Sequence, residues 1–220
     1  MIKLVIFDWN GVLIADAHAC MDADNYILKV FGGKKVDFKE YQDTIIIPSI
    51  DFYVQHGCSR AKLLREHTRW GKLFHAYYEK RAAKVRTRTN ARKLLLWLSK
   101  NGVESIILSN HTVSGISAQL KRLKIRPFFS KLLANEEKAK SMEGRNKGRR
   151  LEIVLKKCRL KKSEVLIIGD SPEEIEIGRK EGIVTVGITG GYYATWRLKA
   201  AKPDYLISDV GQLIGIIKKS

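Results

Sequence analysis

The chain has 220 residues, of which 45% are hydrophobic, so it can bury a sizeable core in one domain with an insertion or in two small domains. Its formal net charge of +18 predicts anionic partners, such as phosphorylated metabolites, nucleic acid or acidic membrane surfaces, without choosing among them. The three cysteines are scattered outside any CxxC pair, which argues against a disulfide framework or a zinc knuckle and favours a reducing, cytoplasmic environment.

The sequence predicts neither a secretory signal nor a membrane span. Asp8 and Asn10 interrupt the N-terminal apolar run, and no small-residue cleavage site follows it. No uncharged apolar stretch reaches the roughly 18 residues that a spanning helix needs. We therefore expect no membrane partner.

Short, continuous apolar runs alternate with amphipathic helical patterns along the chain. Runs without polar alternation are typical of strands covered on both faces, so we predict a Rossmann-like α/β core, with a parallel sheet between two helical layers. The predicted strands are 4–7, 105–108, 131–134, 165–168, 183–188 and 205–207, and the predicted helices are 90–100, 113–124, 149–157 and 172–181.

One connection is too long for a simple crossover. About 95 residues separate Asp8 from Glu104, whereas a crossover needs one helix and two loops of about 2–6 residues each. Apolar residues recur at helical spacing within this stretch, so we predict a small α-helical domain at 15–87, inserted into a core of 1–14 and 88–220. Its aromatic residues fit packing better than base stacking; they are Trp70, Phe74, Tyr77 and Tyr78.

Two predicted strands end on a carboxylate, at Asp8 and at Asp170. Ligands of open parallel sheets bind beyond the carboxyl ends of the strands, so these two side chains meet if their strands are neighbours. Two such carboxylates repel each other, and a hard cation such as Mg²⁺ resolves the conflict. The alternative for Asp8 is a simple turn, because Asn10 and Gly11 form a common turn pair.

Glu174 has two interpretations that the sequence leaves open. Ser171 and Pro172 make a good helix start, and Glu174 lies where a capping box places its acid. It is therefore either a structural cap or a metal ligand beside Asp170.

Four ordered motifs resemble those of the haloacid dehalogenase-like hydrolase superfamily, over nearly the whole chain. The segment 8–12 resembles the opening DxDG[VT] motif, and Ser109 with Asn110 resembles the second motif at a strand end. Lys147 falls at the spacing of the third motif, and 169–174 resembles GDxxxD with Glu in the last place. The position of 15–87 resembles the cap of the phosphoglycolate phosphatase-like branch.

This resemblance implies a Mg²⁺-dependent phosphatase that forms an aspartyl-phosphate. It implies that Asp8 is the nucleophile and that Asp8, the backbone carbonyl of Asn10, Asp170 and Glu174 hold the ion. It implies a small phosphorylated, phosphoglycolate-like substrate under an inserted cap.

The resemblance also implies that Ser109 and Asn110 bind the phosphoryl group and that Lys147 offsets charge on Asp8 and that group. Two alternatives stay open. Ser109 and Asn110 could be a loop and helix cap. Lys147 could be one of several solvated basic residues, in which case Arg145 is the second candidate for its role.

Asn10 departs from the family pattern, which has an acid–base Asp there. A carboxamide neither protonates a leaving alcohol nor activates water, and such groups contribute about 10²–10⁴-fold. Three explanations compete: a slow phosphatase that favours good leaving groups, a phosphate-binding relative without turnover, and an engineered or deamidating position. We favour the first, which predicts that Asn10→Asp raises alkyl phosphate hydrolysis at least about tenfold.

The competing function is a basic nucleic-acid- or nucleotide-binding protein of the same fold with little or no turnover. Positive charge is densest over 138–162, but no helix-turn-helix, zinc finger or stacking motif accompanies it. Such binding would weaken steeply with salt. The sequence leaves the substrate and the oligomeric state open.

Overall fold

The computed structural model describes residues 1–136 and 146–220. Within them, parallel strands form one sheet in the order β3-β2-β1-β4-β5-β6, the order of doubly wound nucleotide-binding folds. The predicted parallel α/β core is thereby confirmed. The strands are β1 (Leu4–Phe7), β2 (Glu104–Thr112), β3 (Lys131–Asn135), β4 (Val165–Gly169), β5 (Val184–Ile188) and β6 (Tyr205–Ile207).

Helices cover the sheet. Among the described residues, five helices follow β1 before the helix that leads into β2. No helix within the described ranges is long and apolar enough to cross a membrane. In chain order the helices are α1 (Ala17–Phe31), α2 (Phe38–Thr44), α3 (Ser49–Gln55), α4 (Arg60–Arg65), α5 (His67–Ala82), α6 (Ala91–Lys100), α7 (Val113–Leu123), α8 (Lys147–Lys157), α9 (Pro172–Glu181), α10 (Thr195–Ala200) and α11 (Leu213–Lys219).

The main difference from the predicted elements is the end of β2. The apolar run suggests an end at Leu108, but the strand continues to Thr112. A register shift after Leu108 lets Thr112 pair with Asn135 of β3, so polar residues extend the strand beyond its apolar part. This extension carries Ser109 and Asn110 to the edge of the sheet where ligands bind.

Strand β1 shows why the predicted runs are continuous. Val5 and Phe7 pack into the hydrophobic core on one face of the sheet, whereas Leu4 and Ile6 pack into the core on the other. Alternate side chains of a strand point to opposite faces, so a strand covered on both sides needs apolar residues throughout.

Helices α1 to α5 form a hydrophobic core of their own, around residues such as Leu28, Phe52 and Trp70. Tyr193, from the segment after β5, joins this core. The segment between β1 and α6 is helical, as the spacing of its apolar residues indicates. Its division from the rest of the chain at 15 and 87 stays a prediction.

A carboxylate is buried inside these helices. Asp24 is 3% exposed and accepts hydrogen bonds from Tyr41 Oη at 2.8 Å and from Tyr53 Oη at 2.6 Å. Burial raises the pKa of Asp24 to about 6, although the bonds from Tyr53, Tyr41 and Cys20 oppose the rise. The folded protein therefore favours the protonated form of this group more than the unfolded chain does.

Gly178 fixes the contact of α9 with the sheet. A Cβ there would lie 2.6 Å from methyl carbons of both Ile167 and Thr185, whereas one at Gly215 in α11 would meet nothing within 4 Å. We expect Gly178→Ala to lower the free energy of unfolding by about 1–3 kcal/mol through overpacking, and Gly215→Ala to raise it by up to about 1 kcal/mol. Urea denaturation of both variants measures this, and equal effects would contradict the close contact at Gly178.

Asp24 makes stability depend on pH with a definite sign. Its folded-state pKa is raised, so its contribution is most favourable below about pH 4 and is lost as pH rises to about 6. We expect Asp24→Asn to gain on the order of 2–3 kcal/mol of stability relative to the wild type between pH 4 and pH 7. Denaturation at several pH values measures the difference, with Asp22→Asn, a partly exposed acid on the same helix, as control. A difference that does not vary with pH would refute this.

Candidate active site

The carboxyl ends of β1 and β4 bring three acids together. These strands are hydrogen-bonded neighbours, with Phe7 opposite Ile168, so Asp8 and Asp170 emerge side by side. One oxygen of each, and one of Glu174, all lie within 4.8 Å of one another. All three are buried, and Asp8 is the most exposed at 6%.

Glu174 forms the cap that the sequence suggested, and its carboxylate also lies among the buried acids, so its role as a metal ligand stays a prediction. Ser171 N donates to Glu174 Oε2 at 3.2 Å, while Ser171 Oγ accepts from Glu173 N at 3.1 Å, so the capping box of α9 is present. The other oxygen, Glu174 Oε1, contacts the ammonium of Lys147. The side chain folds back over Gly169, where a Cβ would lie 2.2 Å from Glu174 Cγ.

Lys147 is part of the cluster and is not a solvated surface residue. It starts α8, is 4% exposed, and places Nζ 3.0 Å from Asp8 Oδ2. Burial alone would lower the pKa of Lys147, but the carboxylates of Asp8, Glu174 and Glu173 hold it well above its usual value. Arg145, the alternative for its role, lies outside the described residues.

The cluster holds three carboxyl groups and one ammonium. Burial raises the pKa of Asp8 to about 7, and Glu174 adds to the rise while Lys147 opposes it. Burial and the neighbouring Asp8 raise the pKa of Asp170 well above its usual value. Three buried carboxylates facing one ammonium are the oxygen-rich, anionic donor set that Mg²⁺ prefers, so the residues fit the predicted ion.

The side chain of Asn10 contacts Asp16, a carboxyl group that sequence analysis missed. Asn10 Nδ2 donates to Asp16 Oδ2 at 2.6 Å and to Tyr78 Oη at 2.8 Å. Asp16 is fully buried and also accepts from Gly11 N, Tyr78 Oη and Tyr192 Oη at 2.6–2.8 Å. The Asn10 amide is therefore one of four hydrogen-bond donors to a buried carboxyl group.

The turn after Asp8 is held by residues distant in sequence. Gly11 has a φ of 70°, and a Cβ there would lie 2.1 Å from Asp170 Oδ2, so only glycine fits. Arg88 donates to the carbonyls of Gly11 at 2.6 Å and Thr189 at 2.7 Å. Tyr192 N donates to Asp170 Oδ2 at 2.6 Å. No local pattern marks Arg88 or Tyr192.

Ser109 and Asn110 lie beside the acids, and neither caps the following helix. Thr112 is the N-cap of α7, and its Oγ1 accepts from Gly115 N at 3.1 Å, so the helix-cap alternative is wrong. Ser109 is 1% exposed, and Asn110 Nδ2 donates to Glu173 Oε2 at 3.0 Å. Both residues line the same cavity as Asp8.

That cavity measures about 160 Å³ and joins the acids to the inserted helices. It is lined by all the predicted site residues except Glu174, and also by aromatic and aliphatic side chains. The latter residues include Tyr41, Ile45, Ile47, Phe74, Tyr78, Tyr192 and Tyr193.

Comparison with known proteins identifies the family of this chain. The family model of the haloacid dehalogenase-like hydrolases matches residues 5–188. A Caldanaerobacter subterraneus protein provisionally named pyrophosphatase PpaX is 25% identical, over 99% of this chain and 95% of that protein. The phosphoglycolate phosphatase of Vibrio cholerae is 24% identical, over 98% and 97% of the two chains.

Solved structures give the same fold. A haloacid dehalogenase-like hydrolase from Streptococcus pneumoniae superposes with a TM-score of 0.80 at 20% identity, covering 98% of both chains. Because the family model spans most of the sequence and these relatives align over nearly all of it, the chain belongs to the haloacid dehalogenase-like hydrolase family, in its phosphoglycolate phosphatase-like branch.

Proposed function

We propose that this phosphatase is a Mg²⁺-dependent phosphomonoesterase that acts on a small phosphorylated metabolite through an aspartyl-phosphate on Asp8. The observation that carries the proposal is the buried cluster of Asp8, Asp170 and Glu174, whose oxygens lie within 4.8 Å of one another. Phosphoglycolate is a candidate substrate, because a relative that aligns over nearly the whole chain is named for it.

Asp8, Asp170, Glu174 and the backbone carbonyl of Asn10 would hold Mg²⁺. When bound, the ion neutralises charge between the anionic nucleophile and the anionic substrate and polarises a phosphoryl oxygen. The adjoining cavity of about 160 Å³ suits a phosphoryl group with a small organic substituent.

Asp8 is oriented for attack by two contacts. Trp9 N donates to Asp8 Oδ1 at 2.7 Å, and Lys147 Nζ lies 3.0 Å from Asp8 Oδ2. In the first step a carboxylate oxygen bonds to phosphorus, and the bond from phosphorus to the leaving oxygen breaks. In the second step water attacks that phosphorus, which releases phosphate and restores the carboxylate.

The groups around the proposed phosphoryl position would bind its oxygens and compensate its negative charge. We assign Ser109 and Asn110 to the phosphoryl oxygens, because they line the cavity beside Asp8. Lys147 offsets charge that builds up on Asp8 and the transferring group. Asn10 provides no proton for the leaving oxygen, so substrates that leave as stable anions react best.

The proposal predicts that Asp8→Asn abolishes turnover. We expect phosphate release across a panel that includes phosphoglycolate to require Mg²⁺ and to fall at least about a thousandfold in Asp8→Asn. Asp22→Asn, which removes a carboxyl from α1, is the matched control and should retain activity. Undiminished release in Asp8→Asn, or release without any divalent ion, would refute the mechanism.

The contact between Asn10 and Asp16 changes the effect that we expect from Asn10→Asp. Asn10→Asp alone places two carboxylates where a hydrogen bond of 2.6 Å now stands, so one stays protonated and the turn is weakened. The exchange Asn10→Asp with Asp16→Asn keeps one amide and one carboxylate. We expect this double variant to raise alkyl phosphate hydrolysis at least about tenfold and aryl phosphate hydrolysis much less.

Steady-state kinetics on both substrate types, with thermal denaturation of each variant, measure the effect. The single variant should gain less and melt at a lower temperature. If neither folded variant changes the alkyl rate, the missing acid at position 10 does not limit turnover.

A further inference from the structure

A second cluster of metal-ligating side chains lies at the end of β2, directly after Ser109 and Asn110. His75 and Glu79 are one turn apart on α5, and His111 is on β2. One ligand atom from each lies within 4.8 Å of the others. We propose that these three residues bind one divalent cation of the zinc class, separate from the Mg²⁺ site.

The donor set selects the kind of ion. Two imidazoles and one carboxylate suit Zn²⁺, whereas Mg²⁺ prefers oxygen ligands alone. His111 Nε2 already lies 3.2 Å from Glu79 Oε1, close to the roughly 3.3 Å between ligands of a tetrahedral ion with bonds of about 2.0–2.1 Å. A ring nitrogen of His75 lies within 4.8 Å of both of these atoms. Three protein ligands leave a fourth position for water or another ligand.

His111 itself points to a missing partner at this position. Its Nε2 is buried and, among the described residues, makes no hydrogen bond of good geometry, although Glu79 is near. Buried ring nitrogens normally have a partner, and a metal ion satisfies such an atom. The ring of His111 is also fixed in place by Tyr78, whose ring meets it edge-on with centroids 5.4 Å apart.

Because Gly115 has no side chain, it leaves room for the ligand atoms of His111 and Glu79. A Cβ at this position would lie 2.6 Å from His111 Nε2 and 2.8 Å from Glu79 Oε1. Even the smallest side chain would therefore displace two of the three ligand atoms. This gives a way to disturb the site without removing a ligand.

A bound ion would join two parts of the molecule. It would tie α5, which belongs to the inserted helices, to the strand that carries Ser109 and Asn110. His75 and His111 both line the cavity next to Asp8, so the ion would hold α5 over that cavity.

Metal analysis of the Mg²⁺-saturated protein after equilibration with Zn²⁺ tests the proposal without any measurement of turnover. We expect one Zn²⁺ per chain and a higher melting temperature in the wild type, in Asp170→Asn, and in His67→Gln, which removes an exposed histidine from the same helix. We expect at least about tenfold weaker Zn²⁺ binding in His75→Gln, His111→Gln and Gly115→Ala. Co²⁺ in place of Zn²⁺ should give the absorption spectrum of a nitrogen-ligated, four-coordinate ion.

Three results would overturn the proposal. If the wild type binds no Zn²⁺, or if both folded histidine variants bind it as tightly as the wild type, then Glu79 and His111 form an ion pair only. If Asp170→Asn abolishes Zn²⁺ binding, the ion occupies the carboxylate site. A phosphatase assay that fails leaves these readouts unchanged, so the two proposals can fail separately.

Discussion

The burial of three carboxylates against one ammonium dominates this structure. Asp8, Asp170 and Glu174 are removed from water beside Lys147, and burial raises the pKa of Asp8 and of Asp170. Buried charge of one sign is costly unless a partner compensates it. A divalent cation and a substrate phosphoryl group at the same place, as we propose, would give this costly arrangement a chemical use.

The surrounding backbone is shaped to admit these carboxylates. Glycines at 11 and 191 leave room for Asp170 Oδ2, since a Cβ at either would lie about 2 Å from it. Arg88 braces the turn after β1 against the segment after β5 through two backbone carbonyls. The same turn is tied through Asp16 to α5 by Tyr78, so the position of the inserted helices and the geometry at Asp8 are mechanically linked.

The sequence predicts the parts of this site that follow from topology. Strands buried on both faces are continuous apolar runs, and parallel neighbours end at one edge, so the sequence predicts that Asp8 and Asp170 meet if their strands are neighbours. The structure shows that β1 and β4 are neighbours. The sequence does not predict the contacts that depend on tertiary structure. No sequence pattern marks Asp16, because its donors come from positions 10, 11, 78 and 192. His111 has the sequence context of an ordinary loop histidine, and only the extension of β2 brings it to α5.

The central claim is that the three carboxylates share one divalent ion. Anomalous scattering from crystals grown with Mn²⁺ in place of Mg²⁺ tests it most directly. We predict one strong peak about 2.1 Å from an oxygen of Asp8 and an oxygen of Asp170, with Glu174 beside it. Crystals at saturating Mn²⁺ with no peak at this position would contradict the account.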